Sequence, residues 1–184
     1  EDSRDNTVMS YTRSDAPKTE LQAFDIAALQ YLYGVAGGVN AGDDAYTLST
    51  RFIQDASGAD TLDLSTETET VTVDLTPGSW IYRGTKAESI LADGQAHIGY
   101  GTVIETVIGG SGSDVLIGNA LDNRIEGGSG DDSLQGGLGN DTLVGGEGVD
   151  TYSFTVGDGQ DVIDEQGGGS RVVIDAADLT SLFY

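Results

Sequence analysis

The clearest pattern of apolar and polar positions is a nine-residue repeat between residues 109 and 164. The shared pattern is G-G-x-G-x-D-x-U-x, where U is apolar, so a glycine-rich turn precedes a short segment with an apolar side chain. The second unit is degenerate, because Asn119, Leu121 and Asn123 replace Gly, Gly and Asp. Units start at residues 109, 118, 127, 136, 145 and 156, the last after two extra residues. The eighth position is always apolar: Leu116, Ile125, Leu134, Leu143, Tyr152 and Ile163. Because one apolar residue per unit can form a core only when units stack, the repeat predicts a parallel β-roll.

The sixth position of the repeat carries the candidate chemistry. It is occupied by Asp114, Asn123, Asp132, Asp141, Asp150 and Asp161. If two units form one coil, each unit lies beside the unit two further on, and Asp132 faces both Asp114 and Asp150. Stacked carboxylates repel one another unless a cation lies between them. Calcium takes about 6–8 oxygen ligands and suits carboxylates and turn carbonyls better than magnesium does. The repeat therefore predicts calcium as a part of the fold.

Other glycine-rich motifs fit this pattern poorly. A dinucleotide-binding turn needs one G-x-G-x-x-G before a helix, a P-loop needs Gly-Lys-Ser/Thr, and an EF-hand needs a helix on each side of its loop. The repeat recurs without a following helix, and Gly-Lys-Ser/Thr is absent. A disordered Gly/Asp-rich linker is the plain alternative, and the apolar eighth position argues against it.

The pattern changes upstream of the repeat. Apolar residues at helical spacing after Pro17 predict one N-terminal helix that ends near Gly34. Alternation with period two predicts strands at residues 61–64 and 71–75, and another strand follows a turn at residues 80–82. Residues 84–99 are ambiguous. The predicted regions are 1–34, a β region at 35–108, the roll at 109–164 and a C-terminal strand segment at 165–184.

Composition narrows the function. The 184 residues include 31 Asp+Glu against 8 Lys+Arg, a formal charge of −23, which argues against nucleic acid and anionic membranes as partners. No apolar run approaches the roughly 20 residues of a membrane span. There is no cysteine, so a secreted chain of this kind must be stabilised by something other than disulfides. The first residues do not form a signal peptide and lack an initiator Met, so we expect a fragment of a longer protein.

Several motifs together resemble one family. The repeat resembles the RTX nonapeptide of secreted bacterial proteins. The segment T-V-M-S-Y at residues 7–11 is similar to the Met-turn of the serralysin family of zinc metalloproteases, and residues 25–34 resemble the helix that closes their catalytic domain. N-A-G-D-D-A-Y at 40–46, D-A-S-G-A-D at 55–60 and G-T-V-I-E at 101–105 resemble the start of their C-terminal domain. The resemblance implies a mainly β protein, with a parallel β-roll flanked by a β-sandwich-like layer and one N-terminal helix.

The resemblance also implies catalytic roles for two residues, but the chain lacks the rest of the zinc site. It implies that Met9 forms the floor beneath a zinc ion and that Tyr11 is a switchable zinc ligand and transition-state hydrogen-bond donor. Residues 1–34 would then be the remnant of a metzincin-like catalytic domain. The zinc-binding H-E-x-x-H motif is absent, however, and the one histidine, His97, is predicted to be a structural or surface residue. We expect no catalysis from this chain alone, and zinc only in an intact parent protein.

Calcium ligands in the roll follow from the same resemblance. Each ion takes the second and fourth carbonyls and the Asp of one turn, then the first and third carbonyls and the Asp of the next coil. The implied ligands are Gly110, Gly112, Asp114, Asn119, Leu121, Asn123, Gly127, Gly128, Ser129, Gly130, Asp132, Gly136, Gly137, Leu138, Gly139, Asp141, Gly145, Glu147, Asp150, Asp158 and Asp161. Two further ions are implied upstream, held by Asn40, Gly42, Asp44, Asp55, Ser57, Gly58, Asp60, Val103 and Glu105.

Two functions are compatible with the sequence. The first is the calcium-binding half of a secreted, extracellular serralysin-like zinc metalloendopeptidase, which folds on calcium binding after export. Its partners would be calcium ions, the upstream catalytic domain and type I secretion machinery. Residues 178–184, an acidic residue followed by apolar ones, loosely resemble a type I secretion signal, and a strand-forming segment that is cut short is the alternative interpretation. The second is a non-catalytic RTX module of a large secreted or surface adhesin-like protein. The sequence encoded before Glu1 distinguishes them, because only the first requires H-E-x-x-H there.

Overall fold

The computed structural model describes residues 40–88, 92–165 and 169–174. The predicted N-terminal helix, Met9, Tyr11 and the segment 178–184 lie outside these residues. Within the described part of the chain no helix has the length and hydropathy of a membrane span.

The described residues form short strands separated by turns. In chain order they are β1 (Ala45–Tyr46), β2 (Phe52–Ile53), β3 (Thr61–Asp63), β4 (Val71–Asp74), β5 (Trp80–Arg83), β6 (Gln95–Ile98), β7 (Thr106–Ile108), β8 (Val115–Ile117), β9 (Arg124–Ser129), β10 (Ser133–Gln135), β11 (Thr142–Glu147), β12 (Thr151–Phe154), β13 (Val162–Ile163) and β14 (Arg171–Ile174). One sheet has the order β1-β3-β7-β9-β11-β13, and the other has the order β14-β12-β10-β8-β4-β5-β6-β2. Chain segments thus alternate between the two sheets, as in a roll.

The pairing within the repeat is parallel and follows the predicted register. Ser133 of β10 pairs with Val115 of β8 on one side and with Thr151 of β12 on the other. These partners are 18 residues apart, so two nonapeptides make one coil. The predicted parallel β-roll is confirmed.

The core is formed by the eighth position of each unit. Leu116, Ile125, Leu134 and Leu143 are fully buried, and Tyr152 is nearly so. The last member, Ile163, is partly buried and packs against the same core. Buried side chains from both sheets belong to this one cluster, so stacking provides the core that no single unit could form.

The parallel stack extends upstream of the repeat. β1, β3 and β7 continue the six-stranded sheet, and β4 pairs with β8 in the other sheet. The strands predicted at 61–64, 71–75 and 80–82 are confirmed as β3, β4 and β5. The region boundaries predicted from the sequence stay predictions.

The ambiguous segment 84–99 contains β6, which joins β5 in an antiparallel pair and β2 in a parallel pair. All four residues of β6 are buried, including the polar Gln95 and His97, so the strand has no solvent-facing side. His97 lies in β6, stacked on Phe52 and edge-on to Trp80. Burial lowers its pKa, and its Nδ1 has no hydrogen-bond partner among the residues that the structure describes. His97 is a buried packing residue here, in agreement with its predicted structural role.

Candidate calcium sites

The sixth-position side chains form a ladder along each edge of the roll. On one edge the backbone N–H of Asp114 donates to Oδ1 of Asp132 at 2.7 Å, and that of Asp132 donates to Oδ1 of Asp150 at 3.0 Å. On the other edge the N–H of Asn123 donates to Asp141 at 2.7 Å, and that of Asp141 donates to Asp161 at 2.9 Å. The coil-to-coil register thus aligns the predicted carboxylates of successive coils in one row along each edge of the roll, and we call each row a file.

The second oxygen of three of these carboxylates has no partner. Oδ2 of Asp132, Asp141 and Asp150 is buried without a hydrogen bond within the described residues. A buried, unpaired carboxylate oxygen is costly unless a cation or a donor satisfies it. Because the ladder uses only Oδ1, these Oδ2 atoms fit the role of metal ligands.

Glycine turns place carbonyl oxygens beside these carboxylates. Gly128 has a φ of 105° and Gly146 a φ of 103°, a region that side chains other than glycine rarely adopt. A Cβ at Gly128 would overlap the carbonyl oxygen of Gly110, and a Cβ at Gly146 would overlap that of Gly128. A Cβ at Gly127 would overlap Oδ2 of Asp132. The result is a close-packed set of carbonyl and carboxylate oxygens, the donor set that calcium prefers.

This packing predicts that Gly128→Ala weakens calcium binding, whereas Gly157→Ala does not. Both glycines have positive φ, 105° and 94°, so both substitutions cost about 1–3 kcal/mol of backbone strain. Only the Gly128 variant also displaces a carbonyl, since a Cβ at Gly157 meets nothing within 4 Å. We expect a calcium affinity at least about tenfold lower for Gly128→Ala alone. Calorimetric titration of both variants measures it, and equal affinities would contradict the carbonyl role.

The ladder perturbs the protonation of its carboxyls. Burial, with the neighbouring Asp114 and Asp150 adding repulsion, raises the pKa of Asp132 to about 7 in the calcium-free chain. Burial also raises the pKa of Asp141 to about 6, with a smaller contribution from Asp161. Asp114 and Asp150 shift in the same direction through burial. Without a cation, the fold thus favours protons on these groups.

The direction of these shifts predicts a pH dependence in chelator. An unfolded Asp has a pKa of about 3.9, so between about pH 4 and 7 the folded chain binds more protons than the unfolded chain. The stabilising effect of protonation is present below about pH 4 and is lost as the pH rises through 6–7. We expect the chain in chelator to retain more β structure, followed by circular dichroism, at pH 5 than at pH 8. A content of β structure that increases with pH in chelator would contradict this.

A second acidic cluster lies upstream of the repeat. One carboxylate oxygen from each of Asp44, Asp55 and Asp60 lies within 4.8 Å of the others. Oδ1 of Asp60 accepts the N–H of Asp44 at 2.8 Å, and Glu105 accepts the N–H of Asp60 at 2.8 Å. Burial, followed by the charges of Asp55 and Glu105, raises the pKa of Asp60 to about 6.

The two upstream loops contact each other directly. A Cβ at Gly58 would overlap the carbonyl oxygen of Gly42, and the Asn40 amide donates to the carbonyl of Gln54 at 2.8 Å. Ser57 donates its N–H to Asp55 at 2.9 Å. Val103 is half-buried in the turn before β7. The structure thus brings together the loops that carry the predicted upstream ligands.

Other predicted ligands differ in how they are placed. Leu121 and Leu138 have side chains about half exposed, so only their backbone carbonyls are available as ligands. Glu147 is exposed at the end of β11. Asp158 is buried, but its carboxylate accepts hydrogen bonds from the N–H and hydroxyl of Thr155 in its own turn, at 2.5 and 2.6 Å.

Sequence reasoning missed two residues that position the upstream cluster. The Tyr46 hydroxyl donates to Oδ2 of Asp55 at 2.5 Å, and Oγ1 of Thr102 accepts the N–H of Asp55 at 3.1 Å. Burial raises the pKa of Tyr46, with the Asp55 carboxylate adding to the effect. Tyr46 is the apolar-face residue of a two-residue strand, so its polar contact had no sequence signal beyond its place in N-A-G-D-D-A-Y.

Comparison with known proteins identifies the class first. The family described as "RTX calcium-binding nonapeptide repeat" matches residues 101–120 and 117–152. The chain carries RTX calcium-binding repeats, wound into a parallel β-roll.

Among individual proteins, the chain is similar to serralysins and to a related metallopeptidase. The chain is 32% identical to "Serralysin" of Proteus mirabilis, with 66% of this chain and 29% of the relative covered. It is 36% identical to "Serralysin B" of Dickeya chrysanthemi (64% and 28% covered) and 32% identical to "Metallopeptidase AprA" of Pseudomonas marginalis (65% and 30% covered). The chain spans less than a third of the length of these relatives. It is homologous to serralysins over two thirds of its own length.

Proposed function

We propose that this chain is the calcium-binding part of a secreted, serralysin-like zinc metalloendopeptidase and that it folds when calcium binds outside the cell. The carrying observation is that Asp132, Asp141 and Asp150 each have a buried carboxylate oxygen without a partner in the described part of the chain. They lie at the sixth position of repeats that match the RTX family. Similarity to serralysins supports the identity of the larger protein.

The residues of the roll suggest how calcium would stabilise it. Asp132 lies between Asp114 and Asp150, so its two oxygens can serve two neighbouring ions. Glycine carbonyls of adjacent turns would complete each ligand set. Neutralising the file of carboxylates removes the repulsion that otherwise opposes coil stacking. In a cytosol with little free calcium the chain would stay unfolded, which is the state that secretion machinery can thread.

Catalysis is proposed for the parent protein and not for this chain. Bound zinc would supply Lewis-acid activation of a water and of the peptide carbonyl. Met9 and Tyr11 are the residues here that the resemblance assigns to that site. No H-E-x-x-H occurs in the sequence, so the zinc-binding histidines must come from outside it. The calcium roll would then support the catalytic domain as its partner.

The proposal is tested by the sequence encoded before Glu1 and by the activity of the full-length protein. H-E-x-x-H there, together with zinc-dependent peptide hydrolysis, would support the protease. A full-length chain that has neither would refute it and favour a non-catalytic RTX module of an adhesin-like protein.

The upstream cluster is proposed to hold separate calcium ions, and Asp60→Asn tests it. Asp60 is placed by the resemblance in both upstream sites, and an amide oxygen can still accept the N–H of Asp44. We expect the fold to persist while the variant binds fewer calcium ions than the wild-type protein. Asp43→Asn is the matched control, because Asp43 is exposed and only accepts the N–H of Ala59 at 3.0 Å. Calorimetry that finds the same stoichiometry in both variants would contradict the upstream sites.

A further inference from the structure

Along the six-stranded sheet, one contact between neighbouring coils lacks the hydrogen bond that the other contacts share. The residues in file there are Asp44, Asp60, Glu105, Asn123, Asp141 and Asp161, each just before a strand of that sheet. In the regular contacts, a backbone N–H donates to the next side chain in the file: Asp44 to Asp60, Asp60 to Glu105, Asn123 to Asp141 and Asp141 to Asp161. Between Glu105 and Asn123 this bond is replaced, since the N–H of Glu105 donates to the backbone oxygen of Asp60.

At the exceptional contact the side chain of Asn123 donates instead of accepting. Its Nδ2 donates to the carbonyl oxygens of Ile104 at 3.2 Å and Glu105 at 3.3 Å. The Asn119 amide donates to the same Ile104 oxygen at 2.8 Å. Both side chains are buried. We call this set of three hydrogen bonds, made by Asn119 and Asn123, the amide link.

The orientation of both amides follows from their other contacts. Oδ1 of Asn123 accepts the backbone N–H of Asn119 at 2.8 Å, and Oδ1 of Asn119 accepts that of Leu121 at 2.9 Å. Since an N–H must face an oxygen, each Nδ2 must point to the preceding coil. The amides therefore satisfy their donors and acceptors without an ion.

A carboxylate could not replace Asn123 in this link. Aspartate has no donor, so at position 123 it would set a negative oxygen against the carbonyl oxygens of Ile104 and Glu105. Only a cation between them would make that contact favourable. The neighbouring contacts differ: Oδ2 of Asp141 is unpaired on one side, and the acidic cluster with Asp60 lies on the other.

We propose that the amide link is a joint that holds no ion of its own, that it fixes the second repeat against the turn before β7 and that it separates the upstream calcium sites from those of the roll. This inference rests on the proposed calcium function. The joint sets the register of the first coils when folding begins on calcium addition, so later ions bind to an already ordered end of the roll. Asn123 is also the uncharged member of an otherwise acidic file, which limits repulsion between the carboxylates of the upstream sites and those of the roll.

Calcium titration of Asn123→Asp tests the joint, with Gln160→Glu as the control. Gln160 is exposed and keeps its backbone N–H bond to Oδ1 of Asn140, so the control adds the same charge without touching the amide link. For Asn123→Asp we expect half-maximal folding, followed by circular dichroism, to need at least about twofold more calcium, and equilibrium dialysis to find one more ion bound per chain. The control should match the wild-type protein. Wild-type behaviour of Asn123→Asp in both measurements would overturn the proposal.

Hydrogen exchange of the wild-type chain gives an independent test if the variant fails to fold. At half-saturating calcium, the amide of Arg124, bonded to the oxygen of Glu105 at 2.9 Å, should exchange at least about tenfold more slowly than that of Ser133, bonded to the oxygen of Asp114 at 2.8 Å. Equal exchange would overturn the joint. A wild-type chain that binds no calcium would instead refute the proposed function.

Discussion

Removing calcium with a strong chelator is expected to unfold residues 109–164 and to expand the chain. This segment contains 11 acidic residues and one basic residue, Arg124, and the chain has no cysteine. Without ions, the buried carboxylates of Asp132, Asp141 and Asp150 each have one oxygen that no described residue pairs with. Both repulsion and desolvation then oppose stacking, and the core cannot form without stacking.

The size of the effect follows from linkage. An ion held at about 1,000 times its Kd stabilises the folded state by about 4 kcal/mol, and a typical domain is stable by about 5–15 kcal/mol in total. The loss of even two or three ions is therefore comparable with the entire stability. Circular dichroism and small-angle scattering with and without chelator measure the change, and magnesium in excess of the chelator is the control that should not restore the fold. A spectrum and radius of gyration unchanged by chelator would refute calcium-dependent folding.

Substitution of Asp132 should cause the largest loss of calcium binding among single changes in the roll. Asp132 faces carboxylates in both neighbouring coils, and its Oδ2 is buried without a partner within residues 40–88, 92–165 and 169–174. Asp132→Asn keeps an oxygen for the N–H of Asp114 and removes the charge and one ligand oxygen. Since even the partners of metal ligands contribute about 10–100-fold to affinity, we expect a loss of at least about tenfold at two neighbouring ions.

The adjacent acidic residue provides the matched control. Asp131 is exposed and accepts the N–H of Val149 at 2.9 Å, so Asp131→Asn removes the same charge without removing a buried ligand. Asp132→Ala should likewise weaken calcium binding more than Asn123→Ala does. Calorimetric affinities that fall equally in the Asp132 and Asp131 variants would show that net charge, not coordination, governs binding.

The sequence predicted the architecture well where a periodic pattern required it. The apolar residue at the eighth position of each nine-residue unit has no core unless units stack, and Leu116 and Leu134 are buried as that argument demands. Period-two alternation located β3 and β4 for the same reason. β6 escaped prediction although Q-A-H-I alternates, because the strand has four residues and its polar positions are buried as well as its apolar ones.

Contacts in which a side chain donates a hydrogen bond where its counterparts accept one could not be predicted from the sequence. The repeat pattern treats Asn123 as a substitute for Asp. Its side-chain amide nevertheless donates hydrogen bonds, whereas the neighbouring side chains in the file accept them. The hydroxyl of Tyr46 likewise reaches Asp55 only because the two upstream loops fold against each other. Such roles depend on which groups a coil places opposite one another, and a repeat pattern specifies the spacing but not the partner.

The central claim is that cations lie between the coils at the sixth position of the repeat. Anomalous diffraction from crystals grown in calcium tests it most directly. The account predicts calcium peaks within about 2.3–2.6 Å of Oδ2 of Asp132, Asp141 and Asp150. A calcium-saturated crystal with no peak at these three oxygens would contradict it.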